Sequence, residues 1–211
     1  MVKQKLIDYW TRTGIVKNQE LIKAFKKIKR EDFVLNKKEA YLDIALPILE
    51  KQTISQPSTI MIMLEALELK KGDKVLEIGA GSGYNASLIA ELVKPETVYT
   101  TEIIPELVEF AKNNLKKAKI NNVKVFNTDG SKGLLKYSPF NKIIVTAACP
   151  EIPKPLISQL KNNGILIAPV GSYSQEMIKI TKKNNKLIKE NLGNFVFVKL
   201  RGKHGFKNQF F

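Results

Sequence analysis

The stretch Asp73-Lys-Val-Leu-Glu-Ile-Gly-Ala-Gly-Ser-Gly-Tyr84 constrains this chain more than any other. Val75, Leu76 and Ile78 form a short apolar run, the pattern of a strand. It ends in glycines at alternate positions, Gly79, Gly81 and Gly83. Ala86, Leu88, Ile89 and Leu92 then recur as one apolar face of a helix. Glycine lacks a Cβ, so such a loop can turn sharply and let a ligand reach the backbone. Amides at the helix N-terminus then face that ligand. About twenty residues on, Thr97-Val-Tyr-Thr-Thr-Glu102 predicts a second strand ending in an acid, which can accept both hydroxyls of a ribose. Strand, glycine loop, helix, strand and acid predict a nucleoside-cofactor site.

A dinucleotide fingerprint requires Gly or Ala three places after its second glycine, over a pyrophosphate. Tyr84 stands there. Glu77 precedes the loop, and a carboxylate repels a pyrophosphate but suits a ligand with a cationic amino-acid end. Glu-x-Gly-x-Gly-x-Gly resembles motif I of S-adenosylmethionine-dependent methyltransferases. A ligand-free strand–helix turn could carry the same glycines, but the strand context and Glu102 favour a cofactor.

A length of 211 residues with 44% apolar side chains suits a single domain with a real core. Residues 1–57 are expected to form a helical and extended cap, and 58–211 the catalytic sheet core. One cysteine, Cys149, excludes an internal disulfide and fits a reducing cytosol. It stands in apolar surroundings without a neighbouring His or Lys, so an inert thiol is expected. Apolar runs fall short of the ~18–20 residues that span a bilayer. The N-terminus lacks the apolar centre of a signal peptide. A soluble cytoplasmic protein is expected, with no membrane partner.

Lys and Arg number 35 against 20 acids, a formal charge of +15, which would attract nucleic acid. Only Arg12, Arg30 and Arg201 are arginines, and phosphate forks favour arginine. The lysines are scattered, so a solvated surface is expected rather than a nucleic-acid face.

Leu6, Ile7, Tyr9 and Trp10 predict a first helix over 3–12, and Gly14 ends it. Asn18 can cap a second, with Leu21, Ile22, Phe25 and Ile28 inward. Residues 35–52 have no clear period and are expected as an extended segment over the domain. Pro57 suits the first turn of a helix carrying Ile60, Met61, Leu64 and Leu67. Thr53, Ser55 and Gln56 therefore precede a helix N-terminus. They could form an anion site, or Ser55 or Ser58 could simply cap the helix. Further helices are expected over 105–119 and 153–160, with Asn163-Gly164 as a stop. Strands are expected over 121–126, 140–146, 165–170, 177–181 and 195–200. Asp129-Gly130 follows the third, where an acid could accept from an adenine amino group or merely make a turn. This alternation predicts an α/β, Rossmann-like, mainly parallel sheet with helices on both faces. Its ligands would lie beyond the carboxyl ends of the strands, at Gly79, Glu102, Asp129 and Thr146.

Tyr41-x-Asp43-x-Ala-Leu-Pro-Ile48, Gln52-Thr-Ile-Ser-Gln-Pro57 and Val75-Leu-Glu-Ile-Gly-Ala-Gly-Ser-Gly-Tyr84 resemble the protein-L-isoaspartate O-methyltransferase family. So do Thr128-Asp-Gly130 and Pro139-Phe-x-x-Ile-Ile-Val-Thr-Ala-Ala148. The likeness spans about residues 28 to 200. It implies S-adenosyl-L-methionine as cofactor and methylation of the free α-carboxylate of isoaspartyl residues in aged proteins. It implies Ser55 as the active-site serine, with substrate also at Thr146 and Ala147. Cofactor contacts are implied at Thr53, Ile54, Gln56, Glu77, Gly79, Gly81, Gly83, Glu102, Asp129 and Gly130, and no metal. The chain departs from the family at Glu50-Lys51, where glycine is frequent, at Ile103 for arginine, and at Lys199 for proline. The last leaves the contact around Arg201 and Gly202 open. Two rivals stand beside this reading: an RNA methyltransferase, prompted by the charge, and a non-catalytic cofactor-binding module. Amino-group methylases of nucleic acid carry Asp/Asn-Pro-Pro-aromatic after strand four, where this chain has Thr146-Ala-Ala-Cys-Pro150.

Overall fold

A computed structural model describes residues 2–207. Helices α1 (Val2–Thr13) and α2 (Gln19–Lys27) open the chain. Asn18 caps α2 through bonds accepted from the Glu20 and Leu21 amides. After two 3-10 turns comes a small antiparallel pair, β1 (Leu46–Pro47) with β2 (Thr53–Ile54). The aperiodic 35–52 stretch is thus a hairpin arm rather than plain extended chain. Its bend holds Glu50 and Lys51 at φ 56° and 54°, the left-handed region that glycine occupies without strain.

Then follow α3 (Pro57–Leu67), β3 (Val75–Ile78), α4 (Tyr84–Val93), β4 (Val98–Glu102), α5 (Pro105–Lys117) and β5 (Val123–Asn127). The chain closes with β6 (Phe140–Val145), α6 (Lys154–Gln159), β7 (Leu160–Val170), β8 (Gln175–Lys183) and β9 (Lys186–Phe195). Among the described residues the main sheet has seven strands, in the order β5-β4-β3-β6-β7-β8-β9. Pairs from β5 across to β7 are parallel, and the last two are antiparallel. The chain runs outward from β3 to β5, then returns to β6 on the other side of β3. That reversal opens a crevice above the ends of β3 and β6.

Side chains alternate between two cores, as the period of two requires. Val75, Val98, Ile144, Ile165 and Ile167 face one core with residues of α1 to α5. Leu76, Tyr99, Ile143, Val145 and Leu166 face the other, with Leu156 of α6. Helices therefore cover both faces, unequally. Among the described residues, no helix is long and apolar enough to cross a membrane.

Two sequence expectations are corrected here. The last strand is not 195–200 but Lys186–Phe195, folded back on β8 by Asn184 and Asn185, both at positive φ. The apolar stretch after Phe195 leaves the sheet, touching it through the Ala148–Lys199 bridge. Asn163-Gly164 is no stop either, because β7 already begins at Leu160. Asn163 takes φ 62°, and the register with β6 shifts between Phe140 and Lys142.

Candidate active site

The glycine loop is shaped by its neighbours. The Gly79 and Ala80 amides both donate to the Thr101 carbonyl, at 2.9 and 3.0 Å. The Thr146 hydroxyl donates to the carbonyls of Ile78 at 3.0 Å and Gly79 at 2.8 Å. Thr146 thus clamps the end of β3 with the end of β6. Gly79 stands at φ 97°, and a Cβ there would come within 2.5 Å of the Thr146 hydroxyl oxygen. At Gly130 a Cβ would run into the side chains of Thr101 and Ile78. Both glycines are required by close packing at the strand ends.

Glu102, at the end of β4, is buried. One carboxylate oxygen accepts from the Gly81 amide at 3.0 Å, the other from the Ile103 and Ile104 amides at 2.9 and 3.1 Å. A carboxylate offers about four lone-pair positions and three are taken, so one remains, on the oxygen that accepts from Gly81, for a ribose hydroxyl. Ile103, Ile104 and Leu107 lie beside it in the same cavity and offer apolar surface to a flat base. The residues present therefore fit a nucleoside cofactor.

The opposite wall is the arm carrying Thr53, Ile54 and Ser55. Pro57 starts α3, but neither Ser55 nor Ser58 caps it by itself. Asp43 does so: it accepts from the Ser58 amide at 2.8 Å and the Ser58 hydroxyl at 2.6 Å. Trp10 donates its indole N–H to the same hydroxyl oxygen at 2.6 Å. The Ser55 carbonyl accepts from Arg30 at 2.8 Å, and Ser55 lines the cavity.

One cavity therefore gathers Thr53, Ile54, Ser55, Gly79, Gly81, Glu102, Gly130, Thr146 and Ala147. Four residues expected at the site do not line it. Gln56 is the N-cap residue of α3, and its backbone carbonyl accepts from the Ile60 amide at 3.2 Å. Gly83, at φ 85°, lets α4 start close against Ala111 and Leu115 of α5. Glu77 is fully buried, accepting from Thr100 at 2.5 Å and Asn85 at 2.7 Å. Burial pushes its carboxyl up to about 7, against those two hydrogen bonds and with the Glu102 charge. Asn85 lines the cavity, so Glu77 bears on the site through Asn85. Asp129 accepts from Ser131 and from the Lys203 amide at 2.8 Å. Burial raises its pKa, but these bonds and Lys132 outweigh it and hold the carboxyl below the ordinary range. Asp129 thereby ties the C-terminal segment down. Position 202, at φ 110°, accepts only glycine, because a Cβ there would strike Asp129.

That segment brings Val198, Lys199, Leu200 and Arg201 to the cavity mouth, which sequence reasoning missed. It also missed Asn85, Ile104 and Leu107. The spacing of Ile104 and Leu107 after Glu102 was the available signal. Cys149 is buried, and burial pushes its thiol up to about 12, as expected of an inert cysteine. Among the described residues, no group of three or more His, Cys, Asp or Glu could hold a metal ion.

Comparison with known proteins places this geometry. The family model described as Protein-L-isoaspartate(D-aspartate) O-methyltransferase matches residues 1–205. A protein-L-isoaspartate O-methyltransferase of Pyrococcus horikoshii is 50% identical over 219 residues, covering 98% of this chain and 99% of its own. A solved protein-L-isoaspartate O-methyltransferase superposes with a TM-score of 0.87 at 32% identity, over 96% of this chain and 67% of that one. A Plasmodium falciparum structure of the same description, in complex with S-adenosyl-L-homocysteine, gives 0.84 at 28%, over 93% and 97%.

Proposed function

The chain belongs to the protein-L-isoaspartate (D-aspartate) O-methyltransferase family, and from that premise we infer how its own residues carry the reaction. It is an S-adenosyl-L-methionine-dependent enzyme that methylates the free α-carboxylate of L-isoaspartyl residues in damaged proteins. The observation that carries the assignment of roles is a single cavity with Glu102 and the glycine loop on one wall and Ser55 on the other.

Glu102 accepts from a ribose hydroxyl, with Ile103, Ile104 and Leu107 against the base and Gly79, Gly81 and Gly130 giving close backbone approach. The cofactor, when bound, supplies an already activated methyl group. The acceptor carboxylate, with a pKa near ~4, is ionised at neutral pH and needs no general base. The protein's task is to desolvate and align two charged partners. Ser55 donates a hydrogen bond that orients the carboxylate, Thr146 and Ala147 complete the acceptor subsite, and Thr53 and Ile54 lie between it and the cofactor. Ser55 is not a covalent nucleophile, since the acceptor carboxylate itself attacks the methyl group and needs no activated serine. Lys199 and Arg201 at the mouth favour an anionic acceptor. The next residue's backbone nitrogen then attacks the ester carbonyl and expels methanol, closing a succinimide without further help from the enzyme, and hydrolysis of that ring partly restores normal aspartate.

Among the described residues, those up to 57 act as a cap that supplies the acceptor wall to a core formed by the residues from 58 onward, within one domain. The lone buried cysteine and the dispersed lysines support a cytoplasmic enzyme without a nucleic-acid partner. The charge of +15 favours one rival, methylation of RNA. Incubation with methyl-labelled cofactor and two peptides, identical except for one isoaspartyl or aspartyl link, separates the two. Base-labile label on the isoaspartyl peptide alone is expected. Label on RNA and on neither peptide would contradict the assignment.

A further inference from the structure

Arg30, on the 3-10 turn Arg30–Asp32, has no exposed surface. Its Nη2 donates to the Ser55 carbonyl at 2.8 Å. Its guanidinium carbon stands 5.0 Å from the centroid of the Tyr84 ring. Ser55 belongs to the acceptor wall. Tyr84 is the first residue of α4, directly after the glycine loop. One buried cation therefore touches both halves of the site.

Packing alone does not explain a guanidinium here. Among the described residues, its Nε and Nη1 have no hydrogen-bond partner. The nearby acids are committed elsewhere: Asp43 to the amide and hydroxyl of Ser58, Glu31 to the Tyr41 hydroxyl. A buried charge that is incompletely paired costs stability, and an apolar side chain of similar volume would remove that cost. What the guanidinium adds is a directed bond to the Ser55 peptide, stacking on Tyr84, and positive charge behind the acceptor subsite.

We infer that Arg30 is a positioning residue for methyl transfer: it fixes the Ser55 segment against the glycine loop and lends positive charge to the subsite that receives the acceptor carboxylate. This rests on the reading of the Ser55 segment as that subsite.

The test uses the full chain with Arg30→Met and Arg30→Lys. For each, kcat and KM are measured with an isoaspartyl peptide, and Kd for S-adenosyl-L-homocysteine. Kd is also measured for the isoaspartyl peptide and for its α-carboxamide analogue. In Arg30→Met, kcat/KM should fall about tenfold or more, with homocysteine-product affinity changed less than about twofold. The preference for carboxylate over carboxamide should shrink. Arg30→Lys keeps the charge but not the planar fork, so it should retain the preference while kcat stays low. A folded Arg30→Met with unchanged kcat/KM and unchanged preference would overturn the inference. Should that variant fail to fold, Arg30→Lys decides: full kcat with only a lowered melting temperature makes Arg30 merely structural. Absence of methylation by the unmodified chain would instead remove the underlying reading, and it is seen before any variant is made.

Discussion

The two walls of the cavity are made in different ways. The cofactor wall is set by the sheet. Parallel register places Ile78 beside Thr101 on one side and Val145 on the other, so three strand ends arrive together. Gly79, Glu102 and Thr146 follow from that register. The acceptor wall borrows Thr146 and Ala147 from the end of β6, but the arm that carries Ser55 has the two-residue pair β1 and β2 as its regular support. It is held by side chains from elsewhere: Arg30 on the Ser55 carbonyl, and Asp43 and Trp10 on Ser58. A wall made of backbone should fail as a unit. A wall pinned by side chains should lose function in separable steps.

The hardest blow to the first wall is Gly79→Ala. It places a Cβ at φ 97° within 2.5 Å of the Thr146 hydroxyl oxygen. Calorimetry should find S-adenosyl-L-homocysteine binding weakened about 100-fold or more, because the clamp and the loop cannot both persist. Retained affinity would show that this wall is not rigid.

Glu77 sharpens the contrast through pH. Its folded pKa of about 7 lies above the ~4.3 of an unfolded glutamate. The folded state therefore holds the extra proton between those values, and stability falls as pH rises through that window. The loss approaches roughly 4 kcal/mol and is complete above pH ~7. Melting temperature against pH should show this slope, and Glu77→Gln should flatten it. An identical slope in the variant would assign the dependence to another group.

On the acceptor wall, Ser58→Ala removes the oxygen that accepts from Trp10 and donates to Asp43. It leaves a buried indole N–H unpartnered, at a cost of about 1–3 kcal/mol in chemical denaturation. Peptide KM should rise while cofactor affinity holds. Smallest is the hairpin bend. Lys51→Gly relieves a residue at φ 54° and should stabilise by up to about 1 kcal/mol, with turnover unchanged. A loss of stability there would mean that the side chain contributes more than the bend costs.

This difference also decides what could be read from the sequence. The sheet, its switch point and the glycine loop were legible because apolar period and glycine chemistry act locally. β9 was not, because Lys186–Phe195 is mostly exposed and polar, with Leu192 and Phe195 packed against the core at its end. Its Asn184-Asn185 turn was the available hairpin signal. Phe195–Leu200 looked like a strand from its apolar residues, yet its distal part lines the cavity mouth. Glu77 and Asp129 show a second limit. Spacing located both acids near the strand ends but not where their carboxylates point: one turns to Thr100 and Asn85, the other to Ser131 and Lys203. Arg30 was unreadable because a buried cation follows no period.

Ser55→Ala, with S-adenosyl-L-homocysteine affinity measured beside turnover on an isoaspartyl peptide, tests the separation of the walls most directly. Loss of one hydrogen bond to a charged acceptor should lower turnover about 10- to 100-fold while cofactor affinity stays within about twofold. Full turnover, or affinity and turnover falling together, would contradict a separate acceptor wall with Ser55 as its orienting donor.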